Sequence, residues 1–470
     1  MAGRIAYLGN IVTQGLVLNL DAAIKGSYPG AGTTWTDVSN NSNNGTLTNG
    51  PAFTGSDYGA IVFDGTNDYV NMPLSVAQGQ GDQTYSHWIK ITASVSSDNN
   101  IFFEETAGTS NFTRIGSSLL PGSYFQFGGR GTSNEPLGNG YFRRSSSPIV
   151  LNLWTNVVGM WDVTNSTIRL YMNGSETSGS FSGAGSVQTH ANTTPGTVRV
   201  GSSRNLEYFL GSISNIQVYN SILTPFQVWQ NFNAYKSRYG IPDIVTDGLV
   251  LNLDAGNPYS YLSGSSGTTW TNVAPVSSSI SGSLQNGAFY SNGAITLDGV
   301  DDFVDCGTNS TTAIRGSSQF TLNYWFKKFS SGNDFLLGAW DQTASKGFFI
   351  QWFTNSTVYF GVSNGARSYN SVGLSYTSNW YNFTFVFDGT LTGATNIGKL
   401  YINGVSQSLT NVGGTATTLP TDVLSLYIGK LINYSSVGKG DIANLQIYNR
   451  ALSATEITQN FNALRGRYGI

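Results

Sequence analysis

The sequence predicts an all-β protein of two tandem antiparallel β-sandwiches of the jelly-roll type, each with one short C-terminal α-helix. Three observations lead to this fold class. The octet GLVLNLDA occurs at residues 15–22 and again at residues 248–255. Short segments that alternate apolar and polar residues recur between clusters of Gly, Asn and Ser, which is typical of half-buried strands joined by turns. A helical pattern closes each half of the chain.

The octet belongs to a long internal repeat that sets the domain organisation. Residues 11–22 read IVTQGLVLNLDA and residues 244–255 read IVTDGLVLNLDA, which differ at one position. Later matches keep the same order: TTWTDV with TTWTNV, IVFDGTNDYV with ITLDGVDDFV, HWIK with YWFK, and LYMNG with LYING. We therefore predict a tandem duplication, with a first domain over residues 11–241 and a second over residues 242–470. Residues 1–10 have no counterpart and are interpreted as an N-terminal tether.

Strand signals fill most of each copy. LVLNLDA, GAIVFDG, FTLNYWFK and TIRLYMNG alternate apolar and polar residues. WDVTNSTIRLYMNG is typical of a strand, a polar turn and a second strand, and Asn173-Gly174 opens the next turn. Tryptophans that recur between the copies are predicted to lie in the core, namely Trp35, Trp88, Trp270 and Trp325.

The helical pattern at the end of each copy begins with a capping signal. In the first copy Thr224 is the predicted N-cap and Pro225 the first helical residue. Aromatic residues follow at spacings of three, at Phe226, Trp229, Phe232 and Tyr235. In the second copy Ser453 and Glu456 form a predicted capping box. One apolar face follows it, at Ile457, Phe461 and Leu464. Each helix is expected to pack on its own sandwich.

The composition excludes several classes of protein. Only 10% of the residues are charged, against about 25% in an average globular domain, whereas 13% are aromatic. The net charge of −3 has both signs scattered along the chain, which argues against a nucleic-acid partner. Cys306, the single cysteine, cannot form an internal disulfide. Neither an export signal nor a membrane span is evident, so we expect a protein made in the cytoplasm.

The repeated segments resemble a known family. FDGTNDYV, a later Trp followed by LYMNG, and IQVYN before a capped helix are together similar to the laminin-G-like (concanavalin A-like lectin/glucanase) superfamily. This pattern covers almost the whole chain, twice. The sequence segments GLVLNLDA, TTWTDVS, NNGTLTNG and YNRALSATEITQNFNALRGRYGI are similar to segments found in structural proteins of marine tailed bacteriophages. The resemblance implies two curved antiparallel sheets, glycan or protein partners, often a structural calcium ion, and in a few branches glycosidase activity.

Catalysis is not expected. Glycoside hydrolysis needs two carboxyl groups that flank the bond, and the E-x-D-x-x-E pattern of sandwich-type glucanases does not occur. Glu104 and Glu105 are adjacent and point to opposite faces of a strand, while Asp334 and Asp341 stand apart from other acids. His87 aligns with Tyr324, which favours a packed strand residue over a base, and no histidine with a nucleophile recurs between the copies. We therefore predict no active site.

A calcium site in the first domain is one of two interpretations of the loop TDVSNNSNNG. The resemblance implies a structural calcium at such a D-x-S-x-x-x-N-N-G loop, with candidate ligands Asp37, Asn40, Asn44 and Gly45. The alternative is a loop closed by Asx turns, which Asp and Asn also favour. In the second copy Asn272 replaces the aspartate, so a metal site there is not expected. The acidic clusters Asp64/Asp68 and Asp298/Asp301/Asp302 are interpreted as tight hairpins.

Candidate glycan-binding residues come from the regions that repeat least, residues 100–147 and 330–377, because loops vary while scaffolds persist. Aromatic faces stack on sugar rings, and arginine and amide groups bind hydroxyls. The candidates are Tyr124, Arg130 and Tyr141 in the first copy and Trp340, Trp352, Tyr359 and Arg367 in the second. For each of them, packing inside a sandwich is the competing interpretation.

Three functions are compatible with these observations. The first is a non-enzymatic virion structural protein, present in multiple copies as an appendage, fibre or capsid-surface decoration. Its partners would be other virion proteins, reached through residues 1–10, and host cell-surface polysaccharide. The second is a free carbohydrate-binding protein, and the third, least supported by the residues, is a polysaccharide-degrading enzyme. No cofactor is required by any of these apart from the candidate calcium ion.

Overall fold

The computed structural model describes residues 11–77, 81–105, 114–130, 140–183, 185–187, 197–203, 207–262, 267–275, 280–329, 334–353, 356–365, 367–374, 377–414, 416–431 and 437–470. The predicted tether, residues 1–10, lies outside this range. The chain divides into two compact units, Met1–Ile241 with Arg465–Ile470, and Pro242–Leu464. The last six residues therefore group with the first unit, although the repeat places them in the second domain, because the grouping follows contacts in space.

The first unit is a sandwich of two antiparallel sheets closed by one helix. Within the described residues, the eight-stranded sheet has the order β14-β13-β12-β7-β17-β5-β4 with β1 beside β17, and the nine-stranded sheet has the order β15-β11-β10-β9-β8-β16-β6-β3-β2. The elements are β1 (Leu16–Asp21), β2 (Thr34–Trp35), β3 (Gly45–Thr48), β4 (Ala52–Thr54), β5 (Ala60–Asp64), β6 (Tyr69–Met72), β7 (Gln83–Lys90), β8 (Asn99–Glu105), β9 (Arg114–Leu120), β10 (Tyr124–Arg130), β11 (Tyr141–Pro148), β12 (Thr155–Asp162), β13 (Thr167–Met172), β14 (Ser175–Glu176), β15 (Gly179–Ser182), β16 (Thr197–Val200), β17 (Leu210–Tyr219) and helix α1 (Pro225–Tyr235), with a 3-10 turn at Leu74–Ala77.

The second unit repeats this arrangement strand for strand. In the part of this unit that the structure describes, the eight-stranded sheet has the order β21-β22-β34-β24-β29-β30-β31 with β18 beside β34, and the nine-stranded sheet has the order β19-β20-β23-β33-β25-β26-β27-β28-β32. The elements are β18 (Leu249–Asp254), β19 (Thr269–Thr271), β20 (Ser281–Gln285), β21 (Phe289–Ser291), β22 (Ala294–Asp298), β23 (Phe303–Asp305), β24 (Gln319–Lys328), β25 (Asp334–Asp341), β26 (Lys346–Phe353), β27 (Thr357–Asn364), β28 (Arg367–Gly373), β29 (Trp380–Asp388), helix α2 (Ala394–Ile397), β30 (Gly398–Ile402), β31 (Val405–Ser406), β32 (Thr410–Gly413), β33 (Tyr427–Ile428), β34 (Lys439–Tyr448) and helix α3 (Ala454–Leu464), with a 3-10 turn at Thr308–Ile314. A further 3-10 turn at Arg465–Arg467 follows α3 in the chain and belongs to the residues that group with the first unit.

The main core of each unit lies between its two sheets. The recurring tryptophans are at most 1% exposed, which confirms their predicted core positions, namely Trp35, Trp88, Trp270 and Trp325. The predicted strand–turn–strand segment is confirmed as well, because β12 pairs with β13 from Asp162–Thr167 onward. At the following turn Asn173 and Gly174 both have positive φ, 47° and 79°, as a tight hairpin turn requires.

A second, smaller core lies between each eight-stranded sheet and its helix. Trp88 stacks on Phe232 of α1 at 5.8 Å, and Trp325 stacks on Phe461 of α3 at 5.7 Å. Both predicted caps are present, since the backbone N–H of Gln227 donates to Thr224 Oγ1 and that of Glu456 donates to Ser453 Oγ. The buried stripe of α1 is Val228, Asn231, Phe232 and Tyr235. Phe226 and Trp229, predicted for this face, are only half-buried, because a helix buries positions spaced by three and four.

One buried asparagine ties the beginning of each copy to its end. Asn231 Oδ1 accepts a hydrogen bond from Val12 N at 2.8 Å, and its Nδ2 donates to Tyr219 Oη at 2.9 Å. In the second copy Asn460 makes the same two bonds, to Val245 N at 2.8 Å and to Tyr448 Oη at 2.9 Å.

Among the described residues, no helix is both long and apolar enough to cross a membrane.

Candidate binding site on the nine-stranded sheets

Each nine-stranded sheet has an inner face toward the core and an outer face. On β10, Phe125 and Phe127 are fully buried in the core, whereas Tyr124 and Gln126 are half-exposed. On β26, Phe348, Ile350 and Trp352 are buried in the core, whereas Gln351 is half-buried and Phe353 is 40% exposed. Successive side chains alternate between faces, so these partly exposed residues define the outer face of each sheet.

Strand register aligns four polar side chains across the outer face of the first domain. Gln126 lies opposite Ser118 on one side and Arg144 on the other, and Arg144 lies opposite Ser180. We call this set, Ser118, Gln126, Arg144 and Ser180, the first row. Neighbouring strands are about 4.8 Å apart, so the row extends over about 14 Å.

The same register positions in the second domain form a row with different chemistry. Tyr359 lies opposite Gln351 and Ser371, and Ser371 lies opposite Thr410. We call this set, Gln351, Tyr359, Ser371 and Thr410, the second row. Tyr359 takes the place of Gln126 and Ser371 takes the place of Arg144. The second row therefore carries an aromatic ring and no charge.

Aromatic rings support both rows. In the first domain the Arg144 guanidinium lies 3.8 Å from the centre of the Tyr124 ring, a cation–π contact that orients the charged group. In the second domain Phe353 lies 5.5 Å from Tyr359 in an edge-to-face arrangement. An exposed ring beside amide and hydroxyl groups is the combination that recognises sugars.

The structure places the predicted glycan-binding residues in different environments. Tyr124 and Tyr359 belong to the outer faces just described. Tyr141 is half-buried, packs against the core and stacks on Phe181 at 5.0 Å. The side chains of Arg130 and Arg367 lie outside the described residues, although their backbones belong to β10 and β28.

Two of the predicted residues are core residues instead. Trp352 is fully buried between the sheets, because it shares the inward face of β26 with Phe348 and Ile350. Trp340 is 5% exposed and packs with Leu431 and Phe349, and its Nε1 donates to Gln342 Oε1 at 3.1 Å. Neither ring can stack on a sugar in this arrangement, so both predictions were wrong.

Sequence reasoning missed Gln126, Arg144, Gln351 and Phe353. The segment FFIQWF at residues 348–353 contains only one polar residue, so hydrophobicity does not show which of its side chains face the core. The signal that could have helped is Gln351, since an amide in an apolar run marks the outward phase. Strand register, which joins Arg144 to Gln126, has no local sequence signal.

The candidate calcium loop is closed by hydrogen bonds. The Asp37 carboxylate accepts from the backbone N–H groups of Asn19 at 2.9 Å, Ser39 at 2.8 Å and Asn43 at 3.0 Å, and from the Ser39 hydroxyl at 2.8 Å. Asn44 Oδ1 accepts from Asp37 N at 2.9 Å. A carboxylate has about four acceptor positions, so this set does not fit calcium without losing those bonds.

The remaining candidate ligands and the second copy support the Asx-turn interpretation. Asn40 has a φ of 76°, the left-handed turn conformation. A Cβ at Gly45 would lie 2.7 Å from Val70 Cγ1, so close packing explains the glycine. In the second domain Asn272 Oδ1 accepts from Asn252 N at 2.8 Å and Ala274 N at 2.9 Å. The Asn272 amide oxygen thus accepts two backbone hydrogen bonds that correspond to those that the Asp37 carboxylate accepts from Asn19 and Ser39.

The acidic clusters predicted as hairpins are connections between the two sheets. β5 belongs to the eight-stranded sheet and β6 to the nine-stranded one, so the turn at Asp64–Asp68 crosses from sheet to sheet. The hairpin prediction was wrong because local turn chemistry does not specify which strands pair. Asp302 Oδ2 accepts from Asp298 N at 3.0 Å, and Asp68 Oδ2 accepts from Asp64 N at 3.1 Å. The carboxylates of Asp298, Asp301 and Asp302 lie within 4.8 Å of one another.

Ionisable groups in the interior of the first sandwich do not form an accessible site. His87 is fully buried, its Nε2 lies 2.9 Å from Ser117 Oγ, and burial lowers its pKa to about 3. Its predicted role as a packed strand residue is confirmed. Burial raises the pKa of Glu104 to about 8, and this carboxyl is hydrogen-bonded with Tyr85. His190 lies outside the described residues.

The buried Asp334 of the second domain, which the sequence shows without another acid nearby, forms an ion pair with Lys328. Desolvation lowers the pKa of Lys328 and raises that of Asp334. Asp341 Oδ1 accepts from Thr343 N at 2.8 Å and from Ala344 N at 3.0 Å, which closes a turn. These acids have structural partners and do not face one another.

Comparisons with known proteins agree with this architecture. A laminin-G-type family model, described as the concanavalin A-like lectin/glucanases superfamily, matches residues 64–229 and 298–458. No curated protein sequence matches the chain.

Solved structures to which the chain is similar include a sialidase from Trypanosoma rangeli, with 12% identity, a TM-score of 0.36, and coverage of 75% of this chain and 61% of the sialidase. A pentraxin from Limulus polyphemus has 15% identity, a TM-score of 0.25, and coverage of 31% of this chain and 70% of the pentraxin. The CBM40 domain of a Ruminococcus gnavus sialidase has 14% identity, a TM-score of 0.28, and coverage of 37% of this chain and 97% of that domain. The chain thus spans about three fifths of the length of the T. rangeli sialidase. These identities are too low to carry residue roles across.

Proposed function

Because the chain belongs to the concanavalin A-like lectin/glucanase superfamily, we propose that it is a non-enzymatic structural protein of a bacteriophage virion that adheres to glycans. The binding surfaces are the outer faces of its nine-stranded sheets. Virion proteins and host polysaccharide are its partners, and residues 1–10 are the proposed attachment to the particle.

The second row carries the glycan-binding part of the proposal. Phe353 is 40% exposed and lies edge-to-face with Tyr359, while Gln351 stands opposite Tyr359 on the neighbouring strand. A ring that presents its face to solvent can stack on the apolar face of a pyranose, and the adjacent amide can bind hydroxyls. Neither element is needed to fill the core, which Phe348, Ile350 and Trp352 already occupy.

The virion part is supported by the sequence. The sequence of the repeat is similar to that of phage structural proteins. Only 10% of the residues are charged, and a surface of low charge suits close packing among subunits.

The absence of catalysis is also part of the proposal. A glycosidase needs two carboxyl groups on either side of the bond, about 5–9 Å apart. Glu104 points into the first sandwich beside Tyr85, and the buried Asp334 is paired with Lys328 in the second. These positions support a protein that binds glycans and leaves them intact.

Glycan binding is tested with the full chain on an array of neutral polysaccharides. We expect Tyr359→Ala and Phe353→Ala each to weaken binding about tenfold, since a stacked ring contributes about 1–2 kcal/mol. The matched control is Tyr259→Ala, because Tyr259 is 64% exposed in the same domain and lies outside the row. Equal binding by all three variants would contradict the assignment of the second row.

The virion role is tested by mass spectrometry of purified phage particles. We expect the chain in the particles, and a variant lacking residues 1–10 to be absent from them. Tight glycan binding by a chain that never enters particles would favour the free lectin. Release of reducing ends from a polysaccharide would favour the enzyme.

A further inference from the structure

We propose that the first row binds the anionic group of an acidic polysaccharide, a uronate carboxylate or a sulfate ester, through the guanidinium of Arg144. This inference rests on the proposed glycan-binding function and specifies the class of sugar for the first domain. The inference follows from three observations: the orientation of the Arg144 side chain, the contacts of other arginines in the first domain, and the polar residues beside Arg144 in the row.

Arg144 is held in place by a cation–π contact with Tyr124. Its guanidinium lies 3.8 Å from the centre of the Tyr124 ring, and the side chain is half-buried on the outer face. The Tyr124 ring is packed in turn against the preceding turn, since a Cβ at Gly122 would lie 3.0 Å from Tyr124 Cε2. Within the part of the chain that the structure describes, no carboxylate forms an ion pair with Arg144.

Other arginines of the first domain have structural partners. Arg143, the preceding residue, points inward, and its Nη1 donates to the backbone oxygen of Ile168 at 2.9 Å. Arg238, which is half-buried, forms an ion pair with the buried Asp21 at 2.8 Å. These contacts direct the two guanidinium groups to partners within the fold. Arg144 instead turns a fixed fork of donors toward the outer face, and such a fork matches a carboxylate or a sulfate.

The neighbours of Arg144 fit the rest of a sugar. Gln126 and Ser180 stand directly opposite it on the two adjacent strands. Their amide and hydroxyl groups can donate and accept, as sugar hydroxyls require. An anionic group on Arg144 would therefore have hydrogen-bonding partners for the same sugar ring on both sides.

The second row lacks this charge. Ser371 occupies the register position of Arg144, and Tyr359 occupies that of Gln126. The two rows thus differ in charge at the position of Arg144, and the first row accepts an acidic sugar where the second accepts a neutral one.

The test measures binding of the full chain at about 50 mM salt to polygalacturonate, dextran sulfate and neutral dextran, because surface charges are screened at high salt. We expect binding to at least one of the two acidic polymers, and the one bound identifies the carboxylate or the sulfate as the ligand. Arg144→Gln should weaken that binding about tenfold or more. Arg144→Lys should retain an intermediate affinity, because lysine keeps the charge and loses the fork.

The control is Lys25→Gln, which removes the same charge from an exposed position of the first domain. Ser371→Arg provides a gain-of-function arm, because it should add acidic-polymer binding to the second row without altering the first domain. Wild-type binding by Arg144→Gln, or an equal loss in Lys25→Gln, would overturn the inference. Failure to bind either acidic polymer, with neutral binding kept, would overturn this inference alone. Failure to bind any glycan would remove the proposed function as well.

Discussion

The interiors of the two sandwiches differ although their strand orders are the same. In the first domain Tyr85, Glu104, His87 and Ser117 form two buried polar pairs between the sheets. The same register positions in the second domain hold Leu322, Ala339, Tyr324 and Ile350, each at most 1% exposed. The same strand order is therefore compatible with either polar pairs or mainly apolar side chains at these interior positions. The apolar core is expected to be insensitive to pH at these positions, and the polar one is not.

The largest expected effect comes from introducing the buried glutamate of the first domain into the apolar core of the second. Ala339→Glu puts a carboxyl group opposite Leu322, whose side chain cannot donate a hydrogen bond to it. We expect the second domain to lose about 4 kcal/mol or more of unfolding free energy, from overpacking and from an unsatisfied buried polar group. Denaturant unfolding of the full chain measures this loss.

Leu322→Tyr combined with Ala339→Glu is the matched control for that variant. It recreates the pair of the first domain and should recover part of the lost stability. If Ala339→Glu were neutral, the carboxyl would have found water or another partner, and the contrast between the interiors would carry no energetic meaning.

The pH dependence of the first domain sharpens the comparison. Burial raises the pKa of Glu104 from 4.5 to about 8, so the folded state keeps a proton that the unfolded state releases. The associated stability is complete below pH 4.5 and is lost as the pH rises to 8. Between pH 6.5 and 8 we expect a loss of about 2 kcal/mol, at about 1.4 kcal/mol per pH unit.

Glu104→Gln should remove this loss, because the amide stays neutral across the range. Denaturant unfolding at pH 6.5 and pH 8 measures the difference for both proteins. Burial lowers the pKa of His87 from 6.5 to about 3, so across this window only the unfolded state still releases a proton from this residue. That release adds about 0.4 kcal/mol of stability as the pH rises, opposite in sign to the Glu104 effect and much smaller. The same slope in Glu104→Gln as in the wild type would assign the pH dependence to another group.

The smallest expected effect concerns the loop around Asp37. Asp37→Asn copies Asn272 of the second domain and should destabilise the first domain by about 1 kcal/mol, since an amide accepts fewer hydrogen bonds than a carboxylate. Adding calcium or a chelator should leave the melting temperature of the wild type unchanged. A rise in melting temperature with calcium, absent in Asp37→Asn, would restore the metal interpretation.

The fold was predictable where local patterns specify it. Alternating residues gave the strands, the repeat gave the duplication, and Thr224 and Ser453 gave the helix starts, because capping is a local interaction. The connection at Asp64 was misassigned, since pairing between distant strands leaves no local mark.

The candidate site was predictable only in part. Tyr124 and Tyr359 were identified as prominent rings in variable segments, but so was Trp352, which fills the core. An aromatic side chain serves either role, and only the phase of the strand decides between them. From the sequence, Arg144 is interpreted as a solvated strand-edge charge beside Arg143, and it was not predicted as a site residue because its neighbours in the row belong to other strands.

The buried asparagines Asn231 and Asn460 each hold the first and last segments of a copy side by side. A globule whose two ends meet can be lengthened at that seam, or cut there, without opening its interior. Such a unit duplicates in a gene at little risk to folding, and it offers a natural place to add a third copy, to exchange one copy for another, or to move one onto an unrelated scaffold.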